Sequence, residues 1–209
     1  MYILGLTGPL ASGKSTVAGI LEQEGALILD ADKIVHDFYK SGTEENIRIQ
    51  DMVGVKITNA AGDIDREKLT AVISRTPSLL KKIETYIHPQ VRKKYKQLLQ
   101  ENYGTVDIAV IDAPLMFEGG LNTLCDKVAV CTCDLTHRKE RALMRPHMTE
   151  AKFTLISEKQ MNMSNYEERA DFLINTSMSI LETEHEVIDI MGNIRGELPK
   201  AWPVAWENI

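Results

Sequence analysis

Two features near the start of the chain predict an α/β fold, in which helices flank a parallel sheet. Tyr2–Thr7 is a short apolar run followed at once by glycine, as expected of a buried strand. Ser15–Glu24 then carries its apolar residues at helical spacing and ends at Gly25, before a second apolar run at Ala26–Leu29. A strand, a helix and another strand in this order are typical of a βαβ unit and a parallel sheet.

The rest of the chain continues this pattern after a long helical middle section. Three further apolar runs complete a predicted five-stranded sheet: Val106–Ile111, Lys127–Cys131 and Phe172–Ile174. Helices are predicted at His137–Arg145, from a cap at Thr149 into Met161, and at Ile180–Met191.

The middle section has caps and an apolar stripe that favour helices. Asp65 and Thr76 are candidate caps, and Pro77 suits a first helical turn. Pro89 predicts a kink or restart within the following run. The stripe has steps of three and four residues and consists of Leu80, Ile83, Ile87, Val91, Tyr95 and Leu98.

Composition narrows the class of protein. The net charge of −6 argues against general binding of nucleic acid or anionic membranes, so an anionic ligand requires local basic stretches such as Arg138–Arg145. Three cysteines do not suggest a disulfide framework, and Cys131 and Cys133 are expected to be buried thiols. We find neither a basic leader nor a long apolar run, and expect a cytoplasmic protein without an obligate protein partner.

One motif predicts the chemistry. Gly8–Ser15 matches the GxxxxGK[ST] phosphate-binding loop, and it lies between a predicted strand and a predicted helix. Loop N–H groups and the helix N-terminus bind phosphates, Lys14 reaches the β- and γ-phosphates, and Ser15 binds Mg²⁺. This predicts the P-loop NTPase fold with a nucleoside triphosphate bound at the loop. The nucleotide-binding residues expected here are Gly8, Ala11, Ser12, Gly13, Lys14, Ser15 and Thr16.

Carboxylates follow two of the predicted strands, at the sheet edge where ligands bind in open α/β folds. Asp32 could accept the proton of an attacking hydroxyl, although either Asp30 or Asp32 could instead cap the next helix. We favour one acid as the cap and the other as the catalyst. Asp112 ends the third strand, where an acid commonly holds Mg²⁺; alternatively, it is a turn residue before Pro114.

Further motifs recur along the chain in a characteristic order and spacing. They are, in order, the loop, Asp30-Ala31-Asp32, His88-Pro89, the segment Asp112–Glu118, Arg141 and Arg145, Gln160 and Ala170-Asp171. Together they resemble the dephospho-CoA kinase family over about residues 1–190. The resemblance implies ATP-dependent phosphorylation of the ribose 3′-hydroxyl of dephospho-coenzyme A, the last step of coenzyme A synthesis.

The same resemblance implies roles and a layout. Asp32 is the implied general base and Lys14 keeps its loop role. Arg141 contacts the nucleotide and stabilises transition-state charge with support from Arg145. His88, Leu115 and Phe117 line the acceptor site. The single domain 1–209 divides into a core (about 1–35, 104–133 and 170–192), a helical acceptor-binding insertion (36–103), a lid (134–169) and a tail (193–209). The tail is expected to pack on the domain surface. As an alternative, it binds a partner.

The chain departs from the family pattern at several positions. Pro9 and Ala11 replace loop glycines, and Ala11 narrows the allowed backbone angles. Ile156 stands where an arginine is common, and Asn175-Thr176-Ser177 replaces an Asn-(Asp/Asn)-Gly segment, which leaves the adenine contacts there open.

Alternative functions remain at this point. Another small-molecule or nucleoside kinase would share the loop. A nucleotide switch or motor ATPase is a second alternative. A GTPase is disfavoured because we find no Asn-Lys-x-Asp motif for guanine and because Asp112 is followed by Ala-Pro-Leu rather than by a DxxG switch. A binding module without activity is disfavoured by the joint presence of Lys14, Asp32 and Arg141.

Overall fold

The computed structural model describes residues 1–160 and 162–209, which form two compact units. Met1–Leu29 and Leu99–Asn208 make up the first unit, and Asp30–Leu98 with Ile209 makes up the second. The finer division into core, acceptor insertion, lid and tail stays a prediction.

A five-stranded parallel sheet is the centre of the fold, with the strand order β2-β3-β1-β4-β5. The predicted sheet is therefore confirmed, with boundaries shifted by one or two residues. The strands are β1 (Tyr2–Thr7), β2 (Leu27–Asp30), β3 (Ile108–Asp112), β4 (Lys127–Thr132) and β5 (Phe172–Asn175). The helices are α1 (Lys14–Gln23), α2 (Ala31–Phe38), α3 (Glu44–Val53), α4 (Arg66–Arg75), α5 (Ser78–Glu101), α6 (Leu135–Leu143), α7 (Glu150–Lys159), α8 (Met163–Arg169) and α9 (Ile180–Arg195).

The core of the first unit lies where α1 and α9 cover the sheet. Every residue of β1 is buried, as expected for a central parallel strand. Val17 and Leu21 of α1 join Val187 and Ile194 of α9 in the same apolar cluster. The helix α9 continues past its predicted end at Met191, because burial of Ile194 outweighs the low helix propensity of glycine at position 192.

Polar caps set the starts of the helices that follow β4. Asp134 accepts a hydrogen bond from the His137 N–H (3.2 Å), so α6 begins and ends two residues earlier than predicted. Thr149 caps α7 as predicted, by accepting from the Lys152 N–H (3.2 Å). Met161, where that helix was expected to end, lies outside the described residues.

The second unit is helical, as the caps and the apolar stripe predicted. Asp65 caps α4 as expected, whereas the prediction for Thr76 as an N-terminal cap is wrong, since Thr76 is the C-terminal cap of α4. Buried Asn46 joins two loops by donating to the carbonyls of Tyr39 (2.7 Å) and Gly62 (3.2 Å).

Helix α5 differs from the prediction in two ways. It runs through Pro89 without a break, so the expected restart is wrong, and a kink stays a prediction. Leu80 is 43% exposed, and Leu99 rather than Leu98 is fully buried. The buried side chains follow i, i+4 spacing, which keeps them on one side of a helix: Ile83, Ile87, Val91, Tyr95 and Leu99.

The C-terminal segment packs on the first unit, which confirms the predicted packing of the tail. Trp206 is fully buried, and its Nε1 donates to the Leu124 carbonyl (2.9 Å). The ring of Trp202 lies 6.2 Å from that of Trp206 and 6.3 Å from that of Tyr103. In the described part of the chain, no helix combines the length and apolar character needed to cross a membrane.

Candidate active site

The phosphate-binding loop is closely packed where it leaves β1. A side chain at Gly8 would place its Cβ 2.6 Å from the Ser12 hydroxyl oxygen and 2.7 Å from the Cys131 carbonyl oxygen. Such contacts are too short for any residue with a Cβ. The glycine is therefore required by the approach of the loop to β4.

A tight turn forms the middle of the loop. The Ser12 N–H donates to the Pro9 carbonyl (3.1 Å), and Ala11, the third residue of that turn, has φ = 62°. This left-handed conformation usually selects glycine, and it costs an L-residue about 1–2 kcal/mol. Ala11, whose side chain narrows the allowed backbone angles, thus occupies a conformation that favours glycine. Pro9 contributes its carbonyl, so the N–H that proline lacks is not needed for this turn.

Two side chains from distant parts of the chain hold the loop's start. The Arg138 Nε donates to the Leu10 carbonyl (2.9 Å), and the Gln160 Oε1 accepts from the Leu10 N–H (2.9 Å). Because C=O and N–H point oppositely in a trans peptide, the Ala11 N–H is directed away from Arg138.

The next peptide is anchored in the same way by a residue that follows β5. The Thr176 Oγ1 donates to the Ser12 carbonyl (2.7 Å), so the Gly13 N–H points away from Thr176. Gly13 precedes α1, whose first turn contains no acidic residue, and Ser15 and Thr16 are exposed there. The anchored carbonyls and the positive end of the helix favour binding of an anion on the opposite side.

The lysine of the loop forms an ion pair with the acid that ends β3. Asp112 pairs in register with Leu6, two residues before Gly8, which brings its carboxylate close to the loop. Lys14 Nζ contacts Asp112 Oδ1, and the Asp112 side chain is only 7% exposed. A charge at this depth requires a counter-ion. Asp112 is therefore a buried strand residue, and its interpretation as a turn residue is wrong.

The oxygen donors near Lys14 fit a magnesium ion. Ser15 supplies a hydroxyl on the first turn of α1, and Asp112 supplies a carboxylate. Among residues 1–160 and 162–209, no group of three or more His, Cys, Asp or Glu side chains forms a candidate metal site. Mg²⁺ at a kinase site is usually held by one or two protein oxygens with substrate phosphates and water, which is the donor set available here.

The two predicted lid arginines differ in their surroundings. The Arg141 guanidinium donates from Nη2 to the Thr176 carbonyl (2.7 Å) and from Nη1 to the Thr176 hydroxyl (3.3 Å). Arg145 lies exposed, two residues after α6 ends. The structure thus connects Arg141 to the phosphate loop through Thr176, and the role of Arg145 stays a prediction.

Sequence reasoning missed Arg138 and Thr176 as site residues. Arg138 is 9% exposed, and burial lowers the pKa of its guanidinium from the ordinary value. The sequence pattern places Arg138 only in a basic stretch and marks Thr176 only as a departure from the family pattern. Neither position has a local sequence signal, because both act on backbone atoms more than a hundred residues away.

The segment after β3 carries the predicted acceptor-site side chains Leu115 and Phe117. Leu115 is 45% exposed, whereas Phe117 is 7% exposed. The Arg169 guanidinium lies 4.2 Å above the Phe117 ring, and the Tyr166 ring lies 6.0 Å from it. Burial raises the pKa of Tyr166 to about 12, so its hydroxyl stays protonated. Leu115 is thus the side chain of the predicted pair that solvent can reach.

The second unit contains Asp32 and His88. Asp30 caps α2 by accepting from the Lys33 N–H (3.0 Å), while Asp32 is exposed in the first turn of that helix. The expectation that one of the two acids acts as the cap is confirmed. His88 is exposed on α5. The catalytic role of Asp32 and the acceptor role of His88 stay predictions.

Comparison with known proteins decides the family. The sequence model described as dephospho-CoA kinase matches residues 2–182. The chain belongs to the dephospho-CoA kinase family. Within the family it is 36% identical to a dephospho-CoA kinase of Bartonella quintana over 93% of this chain and 98% of that one. It is 34% identical to the enzyme of Agrobacterium fabrum over 91% of this chain and 97% of that one.

Solved structures confirm the fold expected of a dephospho-CoA kinase family member. TT1252 from Thermus thermophilus superimposes with a TM-score of 0.78 at 24% identity, covering 94% of this chain and 98% of that one. A dephospho-CoA kinase from Campylobacter jejuni gives 0.68 at 23% identity, covering 92% and 96%. A shikimate kinase from Acinetobacter baumannii gives 0.51 at 15% identity, covering 93% of each chain. The P-loop kinase fold is therefore confirmed, and the family match ends within α9, before the tail.

Proposed function

We propose that this chain transfers the γ-phosphoryl group of ATP to the ribose 3′-hydroxyl of dephospho-coenzyme A, giving coenzyme A and ADP. Membership of the dephospho-CoA kinase family supports the choice of substrates. The observation that carries the chemistry is the ion pair between Lys14 and Asp112 at the start of α1. It places a cation and an acid side by side at a loop built for phosphates.

Lys14 exchanges partners when the nucleotide binds. Its ammonium is a compact charge on a flexible stem, so it can leave Asp112 for the β- and γ-phosphates. Asp112 and Ser15 are then available to hold Mg²⁺, which when bound neutralises charge on the same phosphate oxygens. The N–H groups of Ala11 and Gly13, turned away from their anchored carbonyls, line the phosphate side of the loop.

Asp32 is the proposed general base. Its carboxylate is exposed in the first turn of α2, and Asp30 already provides the cap, so Asp32 is not required for that role. It accepts the proton of the 3′-hydroxyl as that oxygen attacks the γ-phosphorus. His88, Leu115 and Phe117 line the acceptor site in this proposal.

Arg141 contacts the bound nucleotide and, by the family resemblance, stabilises transition-state charge with support from Arg145. These two roles predict different kinetics, since a binding contact changes KM for ATP and a transition-state contact changes kcat. We place the reaction in the cytoplasm, supported by three cysteines that are free thiols: Cys125, Cys131 and Cys133.

The test is incubation with Mg·ATP and dephospho-coenzyme A, with coenzyme A measured by mass spectrometry. Asp32→Asn should lower turnover by about 10²-fold to 10⁴-fold, because it removes the base. Asp30→Asn is the matched control, since asparagine caps a helix as well as aspartate does and should leave turnover nearly unchanged.

Two results would contradict the proposal. If the wild type makes no coenzyme A but phosphorylates another hydroxyl acceptor, the chain has a different substrate. Equal turnover by Asp32→Asn and the wild type would remove Asp32 from the mechanism.

A further inference from the structure

Thr176 connects three parts of the first unit that are distant in sequence. It follows β5 directly and is 5% exposed. Its N–H donates to the carbonyl of Thr132 at the end of β4 (2.9 Å), and its hydroxyl donates to the Ser12 carbonyl of the phosphate loop (2.7 Å). Its carbonyl and hydroxyl oxygens both lie within hydrogen-bond distance of the Arg141 guanidinium.

The hydroxyl of Thr176 can hydrogen-bond to Ser12 and to Arg141 at the same time. A hydroxyl has one proton to donate and lone pairs to accept. Its shortest contact is with the Ser12 carbonyl, so the proton points there, while Arg141 Nη1 donates to the oxygen from the other side (3.3 Å). Arg141 Nη2 donates to the Thr176 carbonyl (2.7 Å), so two nitrogens of one guanidinium hold a single residue. Such a two-point contact sets the orientation of the planar group.

The anchor of Arg141 lies beside the phosphate loop. The Thr176 Oγ1 is 2.7 Å from the Ser12 carbonyl oxygen, and a Cβ at Gly13 would lie 3.0 Å from the Thr176 Cβ. Thr176 follows β5, whereas Asp112, the partner of Lys14, ends β3, so Arg141 and Lys14 are held at the loop by different strands. The held guanidinium is therefore placed to contact a nucleotide bound at the loop.

We infer that Thr176 is a positioning residue, which holds the Ser12 peptide of the loop and orients Arg141 toward the bound nucleotide. The inference rests on the proposed function for the identity of the nucleotide site. The hydroxyl of Thr176 serves as a donor to Ser12 and as an acceptor from Arg141.

The test compares Thr176→Val, which keeps the shape but removes the hydroxyl, with Thr176→Ser, which keeps the hydroxyl. Thr176→Val should raise KM for ATP about fivefold, the effect of one net hydrogen bond. Thr176→Ser should keep a KM for ATP within about twofold of the wild type. A purely structural threonine would lower the unfolding temperature without changing KM.

Affinity for ADP, measured by calorimetry, separates this inference from the proposed function because it needs no acceptor. Thr176→Val should weaken ADP binding about fivefold, and by less than that when Arg141 is already changed to Met, because the two residues act together. Three results would overturn the inference. The first is an unchanged ADP affinity in Thr176→Val, and the second is an equally weakened ADP affinity in Thr176→Ser. The third is a fivefold loss of ADP affinity on Thr176→Val in a protein that already carries Arg141→Met. Failure of the wild type to phosphorylate dephospho-coenzyme A would contradict only the proposed function.

Discussion

The two ends of the parallel sheet each hold a carboxylate, and the two are used differently. At the carboxyl ends of the strands, Asp112 pairs with Lys14, a side chain on a flexible stem. At the amino ends, Asp126 accepts hydrogen bonds from three backbone N–H groups: Ile3 (2.7 Å), Lys200 and Ala201 (2.7 Å).

The difference lies in whether the partner can move. Backbone N–H groups of a strand and of a packed tail are fixed, so Asp126 holds β1 and the C-terminal segment together. The Lys14 ammonium can turn toward another anion, so Asp112 holds the lysine in place until phosphate arrives. A carboxylate bound by backbone is structural, while one bound by a mobile cation is exchangeable.

The largest expected effect concerns the mobile cation. Lys14→Ala should lower turnover about 10³-fold, because the charge that stabilises the transferring phosphoryl group is lost. The matched control is Lys127→Ala at the other end of the sheet, where the lysine pairs with Glu197. That variant should keep full turnover and lose less than about 1 kcal/mol of stability. Steady-state rates measure turnover in the two variants, and denaturant unfolding measures their stability. Equal turnover rates for the two variants would show that the two ends of the sheet do not differ in function.

The opposite pattern is expected for the structural carboxylate. Asp126→Ala should lower the free energy of unfolding by about 2–3 kcal/mol, because several backbone donors lose their acceptor. Turnover per folded molecule should not change. Asp107→Ala, an exposed aspartate just before β3, is the control and should change stability by less than about 0.5 kcal/mol. Urea unfolding measures both, and a fully stable Asp126→Ala variant would show that the other contacts of the tail, including those of its tryptophans, are sufficient to hold it.

The smallest effect concerns the strained position of the loop. Ala11→Gly should raise the free energy of unfolding by about 0.5 kcal/mol, since relief of the left-handed strain exceeds the loss of one buried methyl group. Ala18→Gly in α1 loses a similar methyl without relief of strain, so it should lower stability by about 1–2 kcal/mol. Thermal unfolding of the pair isolates the strain. If both variants lose the same free energy of unfolding, the positive φ of Ala11 does not destabilise the folded protein.

Much of the fold could be predicted because its signals are local. The strands are short apolar runs, and Asp30, Asp65 and Thr149 act on N–H groups two or three residues away. Errors arose where tertiary packing decides. Burial of Ile194 extends α9, and α5 tolerates Pro89 because its other residues keep a buried row at i, i+4 spacing.

The phosphate loop can be predicted from local sequence signals, since Gly8, Lys14 and Ser15 act within eight consecutive residues, and the sequence motifs also predict the family. How the loop is held depends on tertiary packing. Arg138 and Thr176 bind its carbonyls from 128 and 164 residues away, and Asp112 reaches Lys14 through the pairing of β1 with β3. Contacts of such separation depend on how strands and helices pack together, which a pattern of neighbouring residues does not encode.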